Sequence, residues 1–304
     1  MGRRFKALIG VGAVTLALVS ASLAWAAVAG PPTKVLGGRG SQMLPAATPG
    51  GSFLSWTLIR SGQVDAFLRP AGQPKIQLNR RGLGWNGNIS GTEAIYQQVV
   101  RNRSNIYIYD TGTQTRHAPP GVNTSAWEFY PRIDVNHVLF GRSGRNHSWR
   151  VLLADTSGPS TTLLEKHTGR PVRQLLPGGV AGDWATWARY SPRTHHGTVV
   201  LYQISTHHAG PLAVPRGKAQ YASTVDHVGD LFYVRSNIAS CGRGVVIREA
   251  INGGSDVRLA RIPRGYDIGV MNAVDEGPGD GVTVYFDRLN CKSGFYDSYK
   301  IVVN

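Results

Sequence analysis

After residue 50 the chain carries almost no apolar spacing of the helical kind. Short apolar runs alternate instead with clusters of Gly, Pro, Asn, Asp and Ser, the pattern of many short strands joined by turns. Residues 53–59 (FLSWTLI), 106–109 (IYIY), 137–140 (HVLF), 199–204 (VVLYQI), 231–234 (LFYV) and 282–286 (VTVYF) are the clearest runs. They recur as a unit, in which an apolar strand ends in Arg, a polar loop follows, and a second apolar strand comes next. The first strands read WTLIR to Arg60, QQVVR to Arg101, VLFGR to Arg142, ATWAR to Arg189, FYVR to Arg235 and VYFDR to Arg288. The six arginines lie 41, 41, 47, 46 and 53 residues apart.

A period in the forties with about four strands per unit is the spacing of propeller blades. The expected fold is therefore all-β, a six-bladed β-propeller of four-stranded antiparallel blades, with strands a to d running from the central channel outward. In blade 3 the pattern places strand a at 130–135, b at 137–142 and c at 149–155, with d at either 161–164 or 172–176. In blade 5 the strands fall at 221–228, 230–235, 244–250 and 256–262. Blade 6 supplies a, b and c, the last ending at 301–303, and then the chain stops. Its missing edge strand is expected from residues 33–36 (TKVL), which would close the ring and cover a bare sheet edge.

The first 29 residues read as a secretory signal peptide: Arg3, Arg4 and Lys6 precede an apolar run over 7–20, and cleavage is expected after Ala26 or Ala29. The apolar run is short for a membrane span, so no transmembrane segment is expected after cleavage. Residues 30–50 are assigned to a linker and closing strand, and 51–304 to the propeller. Export places the protein in a secreted or extracytoplasmic setting. There the two cysteines, Cys241 and Cys291, fit a disulfide better than a metal pair. Both fall in b–c loops, of blades 5 and 6, which are neighbours on one face.

Two segments carry a family resemblance. NIYIYDTGTQT (105–115), followed by YPRIDVNHVLF (130–140), resembles the strand-and-turn repeat of TolB-like propellers from bacterial secreted and periplasmic proteins, and VLLADTSG (151–158) is a looser copy. The "SPDG" turn common in that family is absent, and Ser191-Pro192-Arg193 is a faint echo of it. The resemblance implies the fold; it transfers no catalytic residue, because a propeller repeat is a scaffold signature.

Charge then singles out one face. Lys and Arg number 33 against 18 Asp and Glu, a formal charge of +15, or +12 without Arg3, Arg4 and Lys6. In a blade the b–c loops and d–a linkers emerge on one face and the a–b and c–d turns on the other. The anchors Arg60, Arg101, Arg142, Arg189, Arg235 and Arg288 therefore share a face with Arg103, Arg145, Arg150, Arg193, Arg243 and Lys292. Many acids, among them Glu93, Asp134, Asp183, Asp230 and Asp275, fall at the opposite turns. The cations suit carboxylate or phosphate oxygens. Alternatively, the six anchors brace their own blades, since a position repeated in every blade is often architectural.

Other candidates carry less. His195-His196 and His207-His208 fall at opposite ends of strand c of blade 4, too far apart to share a metal. The acidic run 275–280 lacks calcium-loop spacing. No G-x-S-x-G, H-E-x-x-H or phosphate-binding glycine loop is present. These features lead to a non-catalytic, monomeric binding or scaffold protein with no cofactor, recognising an anionic cell-envelope polymer or a protein partner; nucleic acid fits the charge but no recognition motif. The alternative is an extracellular lyase or glycosidase acting on acidic glycans.

Overall fold

The computed structural model describes residues 29–36, 40–144, 148–169, 173–237, 241, 244–251, 256–277 and 280–304. The signal-peptide assignment, apart from Ala29, therefore lies outside the described residues, as do Arg145 and Arg243. Among the described residues the strands form six four-stranded antiparallel sheets, the blades of a six-bladed β-propeller. Blade 1 consists of Ser41–Ala47, Phe53–Arg60, Gln63–Pro70 and Ile76–Gln77. Blade 2 consists of Leu83–Ser90, Glu93–Val100, Arg103–Asp110 and Thr115–His117. Blade 3 follows with Trp127–Asp134, His137–Gly144, Ser148–Asp155 and Thr161–His167, and blade 4 with Gln174–Ala181, Trp184–Ser191, His196–Gln203 and His208–Pro211. Blade 5 is Lys218–Val225, Asp230–Asn237, Val245–Ala250 and Val257–Arg261. Blade 6 joins Tyr266–Asp275, Val282–Asn290 and Tyr296–Val303 to Thr33–Leu36, which pairs antiparallel with its third strand.

The expected closing strand thus forms, and it extends further back: Ala29 bridges Val303 and the Gly30 amide donates to the Val302 carbonyl at 3.0 Å. One open choice is decided and one boundary is corrected. Strand d of blade 3 is the earlier candidate, because residues 174–181 are the inner strand of blade 4. The propeller also begins before residue 51: strand a of blade 1, Ser41–Ala47, lies in the segment assigned to linker. Its Pro45 sits in a bulge, where no ladder bond is lost, so a proline that argues against an ordinary strand is tolerated here.

The middle strands read as continuous apolar runs because both faces of each blade are covered. Each seam between adjacent blades holds its own cluster of buried apolar side chains. Ile95, Ile106 and Ile108 of blade 2 meet Ile133, Val138 and Phe140 of blade 3, for example, and Trp187 of blade 4 meets Leu139 and Val151 of blade 3. The last seam, between blades 6 and 1, contains Leu36 from the closing strand together with Ala47, Leu54, Trp56, Phe67, Val274 and Tyr285. Six seams close the ring. The Cys241–Cys291 disulfide forms between the b–c loops of blades 5 and 6, with Cα atoms 6.0 Å apart.

Every inner strand carries a register shift against its neighbour at the same level, with two residues opposite one. The first residues of these bulges are Leu44, Gly87, Tyr130, Gly178, Ala222 and Gly269. Leu44, Tyr130 and Ala222 adopt φ near +50°, the left-handed region that costs a non-glycine residue about 1–3 kcal/mol. Gly178 is needed for a different reason: a Cβ there would stand 2.4 Å from the Ser223 hydroxyl and 2.6 Å from that of Thr186.

Candidate functional site

The bulges form a ring around the central channel and divide it into a mouth, a waist and a base. The waist is polar and tightly bonded. The Asp287 carboxylate, fully buried on strand b of blade 6, accepts the amides of Gly269 and Val270 at 2.8 and 3.0 Å and that of Leu44 at 3.2 Å. Burial pushes its carboxyl up to about 6 despite these bonds. Arg132, 1% exposed, donates from Nε to the Gly178 carbonyl and from Nη1 to that of Pro131, both at 2.8 Å. Burial lowers its guanidinium to about 10, which leaves it charged at neutral pH. Asn86, Asn88 and Asn272 tie neighbouring inner strands through the carbonyls of Leu44, Ile133 and Pro45, each at 2.8 Å.

The base is closed by His227, in the a–b turn of blade 5. Its Nδ1 lies 2.5 Å from Asp275 Oδ2 on blade 6, and its Nε2 lies 3.0 Å from Asp134 Oδ1 on blade 3. The imidazole thus bridges blades that are not neighbours. The hydrogen bonds to Asp134 and then Asp275 outweigh burial and raise its pKa to about 10. Both carboxyls are lowered: burial works against them, and the bonds they receive, led by His227, prevail. Asp134 also accepts the Gly182 amide at 2.8 Å, so blade 4 joins the plug.

The mouth opens on the face of the b–c loops. It is a well of about 440 Å³ whose lining includes Tyr130, Tyr190, Tyr221 and Tyr296, with His195, Asp267 and Ser223. Its floor is the bulge ring at Gly178, Gly269 and Val270. Tyr221 Oη donates to Asp267 Oδ1 at 2.5 Å, the same oxygen that accepts the Ile268 amide at 2.8 Å. Burial raises the Asp267 carboxyl against the bond from Tyr221. Two of the strained positions, Tyr130 and Ala222, line this well.

The six anchors divide by blade. Arg142 pairs with the fully buried Glu128 at 3.0 Å and donates to the Val122 carbonyl at 2.6 Å. Arg189 pairs with Glu165 at 2.7 Å, and Arg235 with Asp256 at 2.5 Å as well as the Tyr233 hydroxyl. Arg288 bonds the Tyr299 hydroxyl and lies 3.9 Å over the Tyr299 ring and 4.7 Å over that of Tyr266. Arg142, Arg235 and Arg288 thus brace their own blades, whereas Arg189 on blade 4 reaches across the seam to Glu165 on the outer strand of blade 3. Arg60 and Arg101 instead sit exposed at the b–c turns of blades 1 and 2, as do Arg103, Arg193 and Lys292 in their loops. None of these five has an ion-pair partner among the described residues. The d–a linkers add exposed Arg80, Arg81, Arg173, Arg216 and Arg264 to the same face.

The well, Arg132, Asp287 and His227 leave no signal in the repeat pattern. His195-His196 and His207-His208 lie at opposite ends of strand c of blade 4. His195 bonds Tyr190 at 3.1 Å and His207 bonds Tyr202 at 2.9 Å. Among the described residues no group of three His, Cys, Asp or Glu is placed to share a metal ion, and no helix is long and apolar enough to cross a membrane.

Six blades, a seam closed by the first strand and a polar plugged channel define a closed six-bladed propeller. No protein-family profile matches the chain, and no curated protein matches it in sequence. Solved propellers match it in shape. TolB from Acinetobacter baumannii superposes with a TM-score of 0.53 at 14% identity, over 86% of this chain and 63% of its own, so the chain spans less than two thirds of that protein. Oligogalacturonate lyase from Vibrio parahaemolyticus gives 0.55 at 13% identity, over 88% and 80% of the two chains. The propeller domain of the Trilobed protease from Pyrococcus furiosus gives 0.54 at 8% identity, over 86% and 81%. At such identities the likeness is one of fold.

Proposed function

We propose that this propeller is a non-catalytic binding or scaffold protein of the extracytoplasmic space, which engages an anionic envelope polymer or an acidic protein partner through its b–c face. The observation that carries the reading is the set of exposed cations there that have no ion-pair partner among the described residues: Arg60, Arg101, Arg103, Arg193 and Lys292. Guanidinium groups free of internal partners lose nothing when they turn to carboxylate or phosphate oxygens. The disulfide fits an oxidising compartment. A glycosidase needs two carboxyl groups about 5–10 Å apart, whereas Asp267 is the carboxylate among the described residues lining the well; this favours binding over hydrolysis.

The test is retention of the purified protein on immobilised polygalacturonate and anionic wall polymers at low salt and at about 0.5 M salt, where surface charge is screened. Retention that is lost in salt and in the Arg60→Ala, Arg101→Ala, Arg103→Ala triple variant is expected. Absence of retention on any acidic polymer overturns the reading, and so does release of shortened product, which establishes an enzyme.

A further inference from the structure

The well at the channel mouth differs in chemistry from the rim around it. On a chain of net charge +15, none of the described residues lining the well is Lys or Arg. Four tyrosines and one carboxylate stand there instead. The electron-rich faces of phenol rings and a partly desolvated carboxylate both attract a cation. Asp267 is only half committed: Oδ1 takes the Tyr221 hydroxyl and the Ile268 amide, while Oδ2 has no partner among the described residues. Ser223, 2% exposed, lines the same well, and its hydroxyl has no partner either. A buried hydroxyl without a partner costs about 1–3 kcal/mol, which an occupant able to bond it would recover. The strained backbone at Tyr130 and Ala222 adds to the picture, since such strain concentrates where ligands are held.

An anion fits poorly. It would face Asp267 across the well, and Arg132, whose Nε and Nη1 hold the Gly178 and Pro131 carbonyls and whose Nη2 is left buried without a partner, is not among the described residues lining it. Leu176, Ile268 and Met271 give part of the wall an apolar surface, beside the polar Gln174, Ser236 and Asn237. Such a wall suits the methylene stem of a basic side chain while its head reaches the polar end. The volume, about 440 Å³, lies within the range of small-ligand sites.

We infer that the tyrosine-lined well is a binding site for the ammonium or guanidinium end of a basic side chain, with Asp267 as counter-charge and Ser223 as a further hydrogen-bond partner. This site is separate from the anion-engaging rim and does not depend on it. The test is calorimetric or NMR titration of the purified protein with acetyl-lysine methylamide, acetyl-arginine methylamide, the neutral acetyl-norleucine methylamide, and spermidine. The lysine and arginine probes are expected to bind at least about tenfold more tightly than the norleucine probe. Asp267→Asn, which keeps an acceptor for Tyr221, is expected to remove that preference without moving the melting temperature, and Tyr190→Leu to weaken both cations several-fold. Equal binding of the norleucine probe overturns the inference, as does a cation preference intact in Asp267→Asn or no saturation by any cationic probe below about 10 mM. Tighter binding of spermidine than of either amide overturns the side-chain source and assigns the site to free amines. Polymer retention at the rim is expected to survive Asp267→Asn, so failure here is distinguishable from failure of the proposed function.

Discussion

The seam between blades 6 and 1 is where the ring is closed, and Leu36 is the side chain through which the first strand closes it. Leu36 is 9% exposed and packs with Ala47, Leu54, Trp56 and Phe67 of blade 1 and with Val274 and Tyr285 of blade 6. Truncating a buried leucine to alanine removes transfer free energy and leaves a cavity, together about 2–5 kcal/mol. A site on a short edge strand can partly collapse, so about 2–3 kcal/mol is expected for Leu36→Ala. For a chain of this length each kcal/mol moves the midpoint by about 2 °C, giving a fall of roughly 4–6 °C. Lys34→Ala is the control in the same strand. The Lys34–Asp297 pair is 2.8 Å long with both side chains about half exposed, and such pairs contribute about 0–1 kcal/mol. Differential scanning calorimetry of the two variants makes the comparison. Removing residues 29–36 altogether is expected to cost more and to bare the edge of strand 296–303, which light scattering would read as concentration-dependent association. If Leu36→Ala melts no lower than Lys34→Ala, the closing strand does not hold the seam and the argument from its burial fails.

Three further predictions follow from the buried charges and the disulfide. Replacing Cys241 and Cys291 together by serine removes a cross-link spanning 50 residues, and loop-closure entropy predicts a loss of roughly 4 kcal/mol by denaturant titration. Arg142→Ala strands the fully buried Glu128 and is expected to cost about 3–5 kcal/mol, whereas Arg101→Ala, at an exposed turn, is expected to stay within about 0.5 kcal/mol. His227→Gln tests the plug by its pH dependence. The histidine's folded pKa, about 10, lies above its ordinary 6.5, so its contribution is full below 6.5 and is lost as pH rises through 10. Asp134 and Asp275 are lowered, so their share is lost only as acid protonates them. The gap between wild type and His227→Gln should therefore be widest near pH 5–6.5 and vanish above pH 10; with a half-exposed imidazole, about 1–2 kcal/mol is expected after solvent screening. A gap that does not change with pH would refute the latch.

The blade count was legible because strand b is the most constrained part of each blade. It is covered on both faces, so most of its side chains are apolar and its few buried polar ones are satisfied internally, and the chain must leave it at a fixed height. The arginines mark that height. Their regularity said nothing about whether they face a ligand, and four of them turn inward to Glu128, Glu165, Asp256 and Tyr299. These partners sit at unrelated places in the repeat. The brace thus recurs from blade to blade on one side only, which hides it from a reading of period alone.

The channel was illegible for a related reason. Its ring of bulges recurs at 43, 43, 48, 44 and 47 residues, more regularly than the arginines, yet the positions hold Leu, Gly, Tyr, Gly, Ala and Gly. A bulge is a backbone event, met either by a glycine or by a strained residue, so it leaves no common side chain to find. What it does is aim the next residues across the axis. Asp287 reads in sequence as one more acid beside an anchor, and Arg132 as one more cation, but the bulges aim amides at the first and carbonyls at the second. At such inward positions each blade contributes a different residue to one place. Repetition reveals the scaffold, and it is the departures from repetition at the mouth (Tyr190, Tyr221, Asp267, Ser223 and Tyr296) that define what the well can hold.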